Sequence, residues 1–100
     1  MKLVSFNVNG IRASVTKGLP TTIEQLDADI ICFQETKATP EQVATALKGV
    51  DGYHVNAYGA VKLGYSGTAI VSKEKPANVA FGIGMKGHDD EGRVVTATFK

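Results

Sequence analysis

Among the acids of this chain, Glu35 has the most suggestive surroundings. It belongs to Gln34, Glu35, Thr36 and Lys37, four polar residues that directly follow 29–33, a short apolar run rich in β-branched side chains. Such a run reads as an interior strand covered on both faces. A carboxylate at the carboxyl end of an interior strand stands where open α/β sheets receive their ligands. Asn7 and Asn9 follow an earlier strand-like run at 2–6. With a right-handed crossover between the two strands, their ends are neighbours and Asn7 faces Glu35. One carboxylate beside amides, with Asn9 as a second oxygen donor, suits a hard divalent cation. Mg²⁺ takes one or two carboxylates, keeps several waters and completes its shell on a substrate phosphate. Mn²⁺ accepts the same oxygen ligands. On spacing alone a plainer reading stays open, with a solvated loop acid and two turn amides.

Two further groupings point to an anionic partner. In Gly64-Tyr65-Ser66-Gly67 the glycines let a ligand approach the backbone, and a phenol and a hydroxyl are available to phosphate oxygens. Lys73 and Lys75 lie downstream. Arg12, Lys17 and Lys37 gather positive charge around the acid, an arrangement fit for a polyanion. A glycine-rich hairpin loop and a solvated surface are the plain alternatives. His54 reads as structural, and His88-Asp89-Asp90-Glu91 as a solvated turn without metal-ligand spacing. No Ser/His/Asp or Cys/His nucleophile arrangement can be assembled. Cys32, in the middle of the apolar run, reads as a small core hydrophobe.

The elements that must position these groups follow from pattern. After the strand at 2–6, Asn7 to Gly10 reads as a turn, since Asn and Gly tolerate positive φ. Gly18, Leu19 and Pro20 open a helix whose apolar face is Leu19, Ile23 and Leu26. Thr39, Pro40 and Gln42 form a capping box for a second helix with Val43 and Leu47 inward, ended by Gly49. Strands are expected at 53–57, 68–72, 78–81 and 93–99, with 82–92 a polar, glycine-rich loop. The order β-α-β-α followed by strands implies an α/β (α+β) fold, a mixed and mainly antiparallel sheet with two helices on one face. Nothing remains to cover the other face, and Lys100 follows directly on strand residues. The chain reads as cut short.

Composition narrows the class without choosing the chemistry. One hundred residues, 43% of them hydrophobic, make one small globular domain with no repeats or linkers. A net charge of +1 gives no broad electrostatic case for nucleic acid or membrane, so any basic surface is local. A single cysteine excludes an internal disulfide and fits a reducing cytoplasm. No apolar run approaches the ~20 residues of a membrane span, and Met1-Lys2 runs into strand without a signal-peptide core.

Four stretches together carry a family resemblance: Ser5-Phe-Asn-Val-Asn-Gly-Ile-Arg-Ala13, Ile31-Cys-Phe-Gln-Glu-Thr-Lys37, Gly64-Tyr-Ser-Gly67 and Asp90-Glu-Gly-Arg-Val94. In order and spacing the chain resembles the amino-terminal half of the exonuclease III family of apurinic/apyrimidinic endonucleases, across residues 1–100. The resemblance implies one half of a four-layer α/β-sandwich of the endonuclease/exonuclease/phosphatase type. It implies Mg²⁺-dependent hydrolysis of DNA phosphodiesters, beside abasic sites and at 3′ ends of double-stranded DNA. Glu35 matches the metal-binding glutamate, and Asn7 the asparagine that hydrogen-bonds within the active site. Arg12, Lys17 and Tyr65 match positions that grip the DNA backbone, and Asn9 falls where some members carry aspartate. The family also uses a tyrosine, an Asp-x-Asn pair and an Asp-His pair that these residues do not include. The chain alone is therefore expected to be inactive, needing a carboxy-terminal half. The rival expectation is a non-catalytic half-domain that packs against a second copy through its uncovered sheet face.

Overall fold

The computed structural model describes residues 1–100. The elements run β1 (Leu3–Asn7), α1 (Ile11–Thr16), α2 (Leu19–Leu26), β2 (Ile30–Gln34), α3 (Pro40–Ala46), β3 (His54–Tyr58), β4 (Thr68–Ser72), β5 (Asn78–Phe81), α4 (Lys86–Asp89) and β6 (Val95–Thr98). The first four strands form a mixed sheet in the order β1-β2-β4-β3. β1 and β2 are parallel, while β4 runs antiparallel to both β2 and β3. The remaining strands, β5 and β6, pair with each other as a separate two-stranded sheet.

Period-two alternation sets the faces of the main sheet. Ile31, Phe33, Ala69 and Val71 point one way and are fully buried. Three helices cover that face, each through a small apolar set: Ile11 from α1, Leu19 and Ile23 from α2, and Val43 from α3. Burying one such aliphatic side chain contributes roughly 1.5–3 kcal/mol. The capping box of α3 forms as its sequence predicts, with Gln42 N–H donating to Thr39 Oγ1 at 3.2 Å and Thr39 N–H to Gln42 Oε1 at 2.9 Å. Beyond the two helices that periodicity predicts stand α4, inside the stretch 82–92 expected as a loop, and α1. In α1, six residues with one buried side chain give too little pattern to read.

The opposite face is mixed and partly covered, not the bare apolar surface that the order of elements implies. Tyr58 and Thr68 project there, and the β5–β6 sheet packs against them. The Tyr58 ring lies 5.7 Å from that of Phe81, and its hydroxyl donates to Asp89 O at 2.8 Å. Thr68 Oγ1 donates to Gly92 O at 3.3 Å. Gly92 is required here, because a Cβ would stand 2.5 Å from Ala60 N. Over β1 and β2 the face stays open. Leu3 is 65% exposed, and Cys32 is half-buried on this side, not in the helical core. Its partial burial still pushes the thiol pKa upward. No helix is long and apolar enough to cross a membrane.

Candidate active site

Strand direction gathers the polar residues at one edge of the sheet. The carboxyl ends of the parallel pair β1 and β2 meet the start of antiparallel β4 there. Beyond the strands, residues 34–37 are held from both sides by backbone bonds. Val8 N donates to Gln34 O at 3.0 Å, Gly10 N to Glu35 O at 2.8 Å and Ile11 N to Thr36 O at 2.9 Å. On the other side Thr36 N donates to Gly67 O at 3.1 Å and Lys37 N to Ser66 O at 2.7 Å. Glu35 thus rides on a segment clamped between the loop after β1 and the residues before β4.

Asn7 and Glu35 come together as the strand ends predict: Asn7 Nδ2 donates to Glu35 Oε2 at 2.6 Å. Asn7 Oδ1 accepts from the Asn9 backbone N–H at 3.0 Å, which fixes the amide's orientation. A hydrogen bond to a charged group contributes about 1.5–3 kcal/mol, enough to hold the carboxylate in one direction. Glu35 Oε1 takes no protein donor. Backbone conformation marks the same spot: Asn9, Glu35, Lys37 and Ser66 all have positive φ, between 46° and 55°. Non-glycine residues reach this region at a cost of about 1–3 kcal/mol each, and such strain gathers at working sites.

The basic residues divide. Arg12 Nη2 donates to Lys37 O at 3.0 Å, and Lys37 Nζ to Asn9 Oδ1 at 2.6 Å. Arg12, Lys37, Gly10, Ala13 and Gly64 line an open cleft of about 410 Å³. Lys17 caps the far end of α1 and stays exposed. Lys73 does not join them. It lies past the other end of β4, where Nζ meets Asp27 Oδ1 at 2.5 Å, so grouping it with the glycine-rich loop is corrected by strand direction. Lys75 follows it beyond that end.

Tyr65 and Ser66, adjacent in sequence, part company. Ser66 is buried, and its backbone carbonyl serves the clamp on Lys37. Tyr65 is exposed and held by residues to which motif reading gave no role. Arg93 Nη2 donates to its phenol oxygen at 2.8 Å, and the phenol donates to Glu91 Oε2 at 3.4 Å. Glu91 also accepts from Arg93 Nε at 2.8 Å, and this contact holds the Glu91 carboxyl below the usual carboxylate range. Lys62 Nζ lies 5.4 Å and the Arg93 guanidinium carbon 5.6 Å from the ring centroid. The only sequence signal for this group is the stretch 90–94, whose link to Tyr65 depends on a long-range contact.

A divalent cation fits this edge only as a partial site. Glu35 presents one free carboxylate oxygen on a fixed stem, and one or two carboxylates satisfy Mg²⁺ when waters and phosphate complete the shell. No group of three or more His, Cys, Asp or Glu side chains forms a self-sufficient metal cage.

Comparison with known proteins shows the family. The family model described as "Endonuclease/Exonuclease/phosphatase family" matches residues 4–100. An exodeoxyribonuclease of Bacillus subtilis is 52% identical over the whole chain, which covers 39% of that protein. A Danio rerio protein named DNA repair nuclease APEX1 is 44% identical over 99% of the chain and 33% of its own length. Among solved structures, an AP endonuclease from Archaeoglobus fulgidus superposes with a TM-score of 0.83 at 34% identity, covering 97% of this chain and 36% of that one. The chain spans about a third to two-fifths of the length of these relatives. Its motifs, its sheet and these matches make it a member of the endonuclease/exonuclease/phosphatase family, on the side of the exonuclease III-type enzymes.

Proposed function

We propose that these residues form part of the active site of a Mg²⁺-dependent DNA repair nuclease that hydrolyses phosphodiesters at abasic sites and 3′ ends. The observation that carries the reading is the Asn7–Glu35 hydrogen bond at 2.6 Å, which leaves one carboxylate oxygen free at the joined strand ends. Glu35 would hold the cation, and Asn7 fixes the direction of that carboxylate. Bound there, the ion supplies Lewis acidity at a phosphate oxygen. Arg12, Lys17 and Tyr65 lie at basic or exposed positions able to orient the strand. Mn²⁺ would suit the same donors.

Hydrolysis also needs a general base within hydrogen-bond reach of the attacking water. No group of three or more His, Cys, Asp or Glu side chains forms around Glu35. The base and the phosphate clamp would therefore come from groups outside these residues, and the chain by itself should not turn over. The test is cleavage of a duplex with one abasic site by a protein that joins this chain to the rest of the relatives' length. Glu35→Ala should lower the rate by orders of magnitude, and near-normal cleavage would remove Glu35 from the mechanism. A second reading, self-association through the open face, draws on the exposure of Leu3 above β1 and β2. Light scattering that finds only monomer rules it out.

A further inference from the structure

Asn9 is held by its oxygen. Lys37 Nζ donates to Asn9 Oδ1 at 2.6 Å, the Asn9 backbone N–H donates to Asn7 Oδ1 at 3.0 Å, and Asn7 Nδ2 donates to Glu35 Oε2 at 2.6 Å. These residues form one relay from an ammonium to a carboxylate. Lys37 is itself fixed, since Arg12 Nη2 donates to its carbonyl and its own N–H is bonded to Ser66 O. A side-chain amide has one acceptor oxygen and two N–H donors. With one lone pair of the oxygen taken by an ammonium, exposed Asn9 offers its NH₂ as the wholly free group, and no protein acceptor takes it.

That arrangement opposes a cation and favours an anion. A metal ion taking the remaining lone pair of Asn9 Oδ1 would sit beside the like charge of the Lys37 ammonium. An anionic oxygen finds two kinds of donor together: the Asn9 NH₂ and the N–H groups that Lys37 does not use on Asn9. We propose that Asn9 is a donor to a phosphate oxygen, positioned by Lys37, and not a ligand of the ion that Glu35 holds. This deepens the nuclease reading and rests on it for the presence of a phosphate. It departs from the expectation, drawn from sequence, that Asn9 supplies a second metal oxygen.

Calorimetric titration of the 100-residue chain with inorganic phosphate and, separately, with Mg²⁺ tests the assignment. Asn9→Ala should weaken phosphate binding about tenfold, the scale of one hydrogen bond to a charged group, and leave Mg²⁺ binding unchanged. In a ¹⁵N spectrum the Asn9 side-chain NH₂ signal should move saturably with phosphate. Lys37→Met should return that signal to a solvent-like position and weaken phosphate binding, while Lys37→Arg, which keeps a donor, restores both. Weakened Mg²⁺ binding in Asn9→Ala overturns the proposal. So does an Asn9 NH₂ signal that phosphate leaves unmoved. If Mg²⁺ fails to bind the wild-type chain, the metal reading of Glu35 falls, and the phosphate titration still decides the role of Asn9.

Discussion

Of the five non-glycine residues with positive φ, four lie at the candidate site and the fifth is Asp27, at the other end of the sheet. Asp27 caps α2 in the left-handed conformation and meets Lys73, which follows β4. The hydrogen bond and charge of Lys73 hold the Asp27 carboxyl below its ordinary value of 3.8. A carboxyl more acidic in the folded state stabilises the fold above its unfolded pKa, and that contribution is lost as pH falls through the folded value. Asp27 is 78% exposed in its side chain, so the effect is small and screened by salt. Asp27→Asn should therefore melt slightly below wild type at pH near neutrality. The gap should close well below pH 3.8 and in high salt, as thermal unfolding followed by circular dichroism would record.

At the scale of elements, the segment after β2 is fitted so closely that one side chain is left without a partner. Thr36 is fully buried and its Oγ1 makes no hydrogen bond. Gly67, at φ 89°, leaves room for that hydroxyl, and a Cβ there would stand 2.3 Å from it. An unsatisfied buried polar group costs about 1–3 kcal/mol. Thr36→Val should thus keep or raise stability, whereas Gly67→Ala, strained and overpacked, should lose about 2 kcal/mol or more. Urea denaturation of the two variants would check the opposite signs. Much of this architecture is legible in the sequence. The strands at 30–34 and 68–72 carry clean apolar runs, and Thr39 and Gln42 announce α3. The approach of Asn7 to Glu35 follows from the crossover rule. What stays hidden depends on long-range packing. The pairing of β5 with β6 alone, the burial of Ser66 and the approach of Lys62 and Arg93 to the Tyr65 ring have no local pattern. Lys73 is misplaced when strand direction is ignored, since the five residues of β4 carry it to the opposite edge.

The whole molecule rests on a small core. Seventeen of the hundred residues are buried, and Phe33 is among the largest of those fully enclosed, with the Phe6 ring 6.2 Å away. Truncating a buried phenylalanine costs about 3–5 kcal/mol, against a total stability of roughly 5–15 kcal/mol for a domain. Phe33→Ala should remove a large share of that stability, and a lower urea midpoint for unfolding would record it. The site shares this core through Ile11, whose N–H bonds to Thr36 O and whose side chain is fully buried. The loop after β1 and the segment bearing Glu35 should consequently be lost together with the core.

The tether on Asn9 also bears on chemical ageing. Asparagine followed by glycine is the pair most prone to lose ammonia, because the glycine nitrogen can attack the side-chain carbonyl carbon and close a succinimide ring. Here Gly10 N is engaged with Glu35 O at 2.8 Å, and Asn9 Oδ1 is pinned by Lys37, so both partners of the ring closure are restrained. Folding thereby shields the pair from deamidation, and each unfolding excursion during storage would let an aspartate arise beside Glu35.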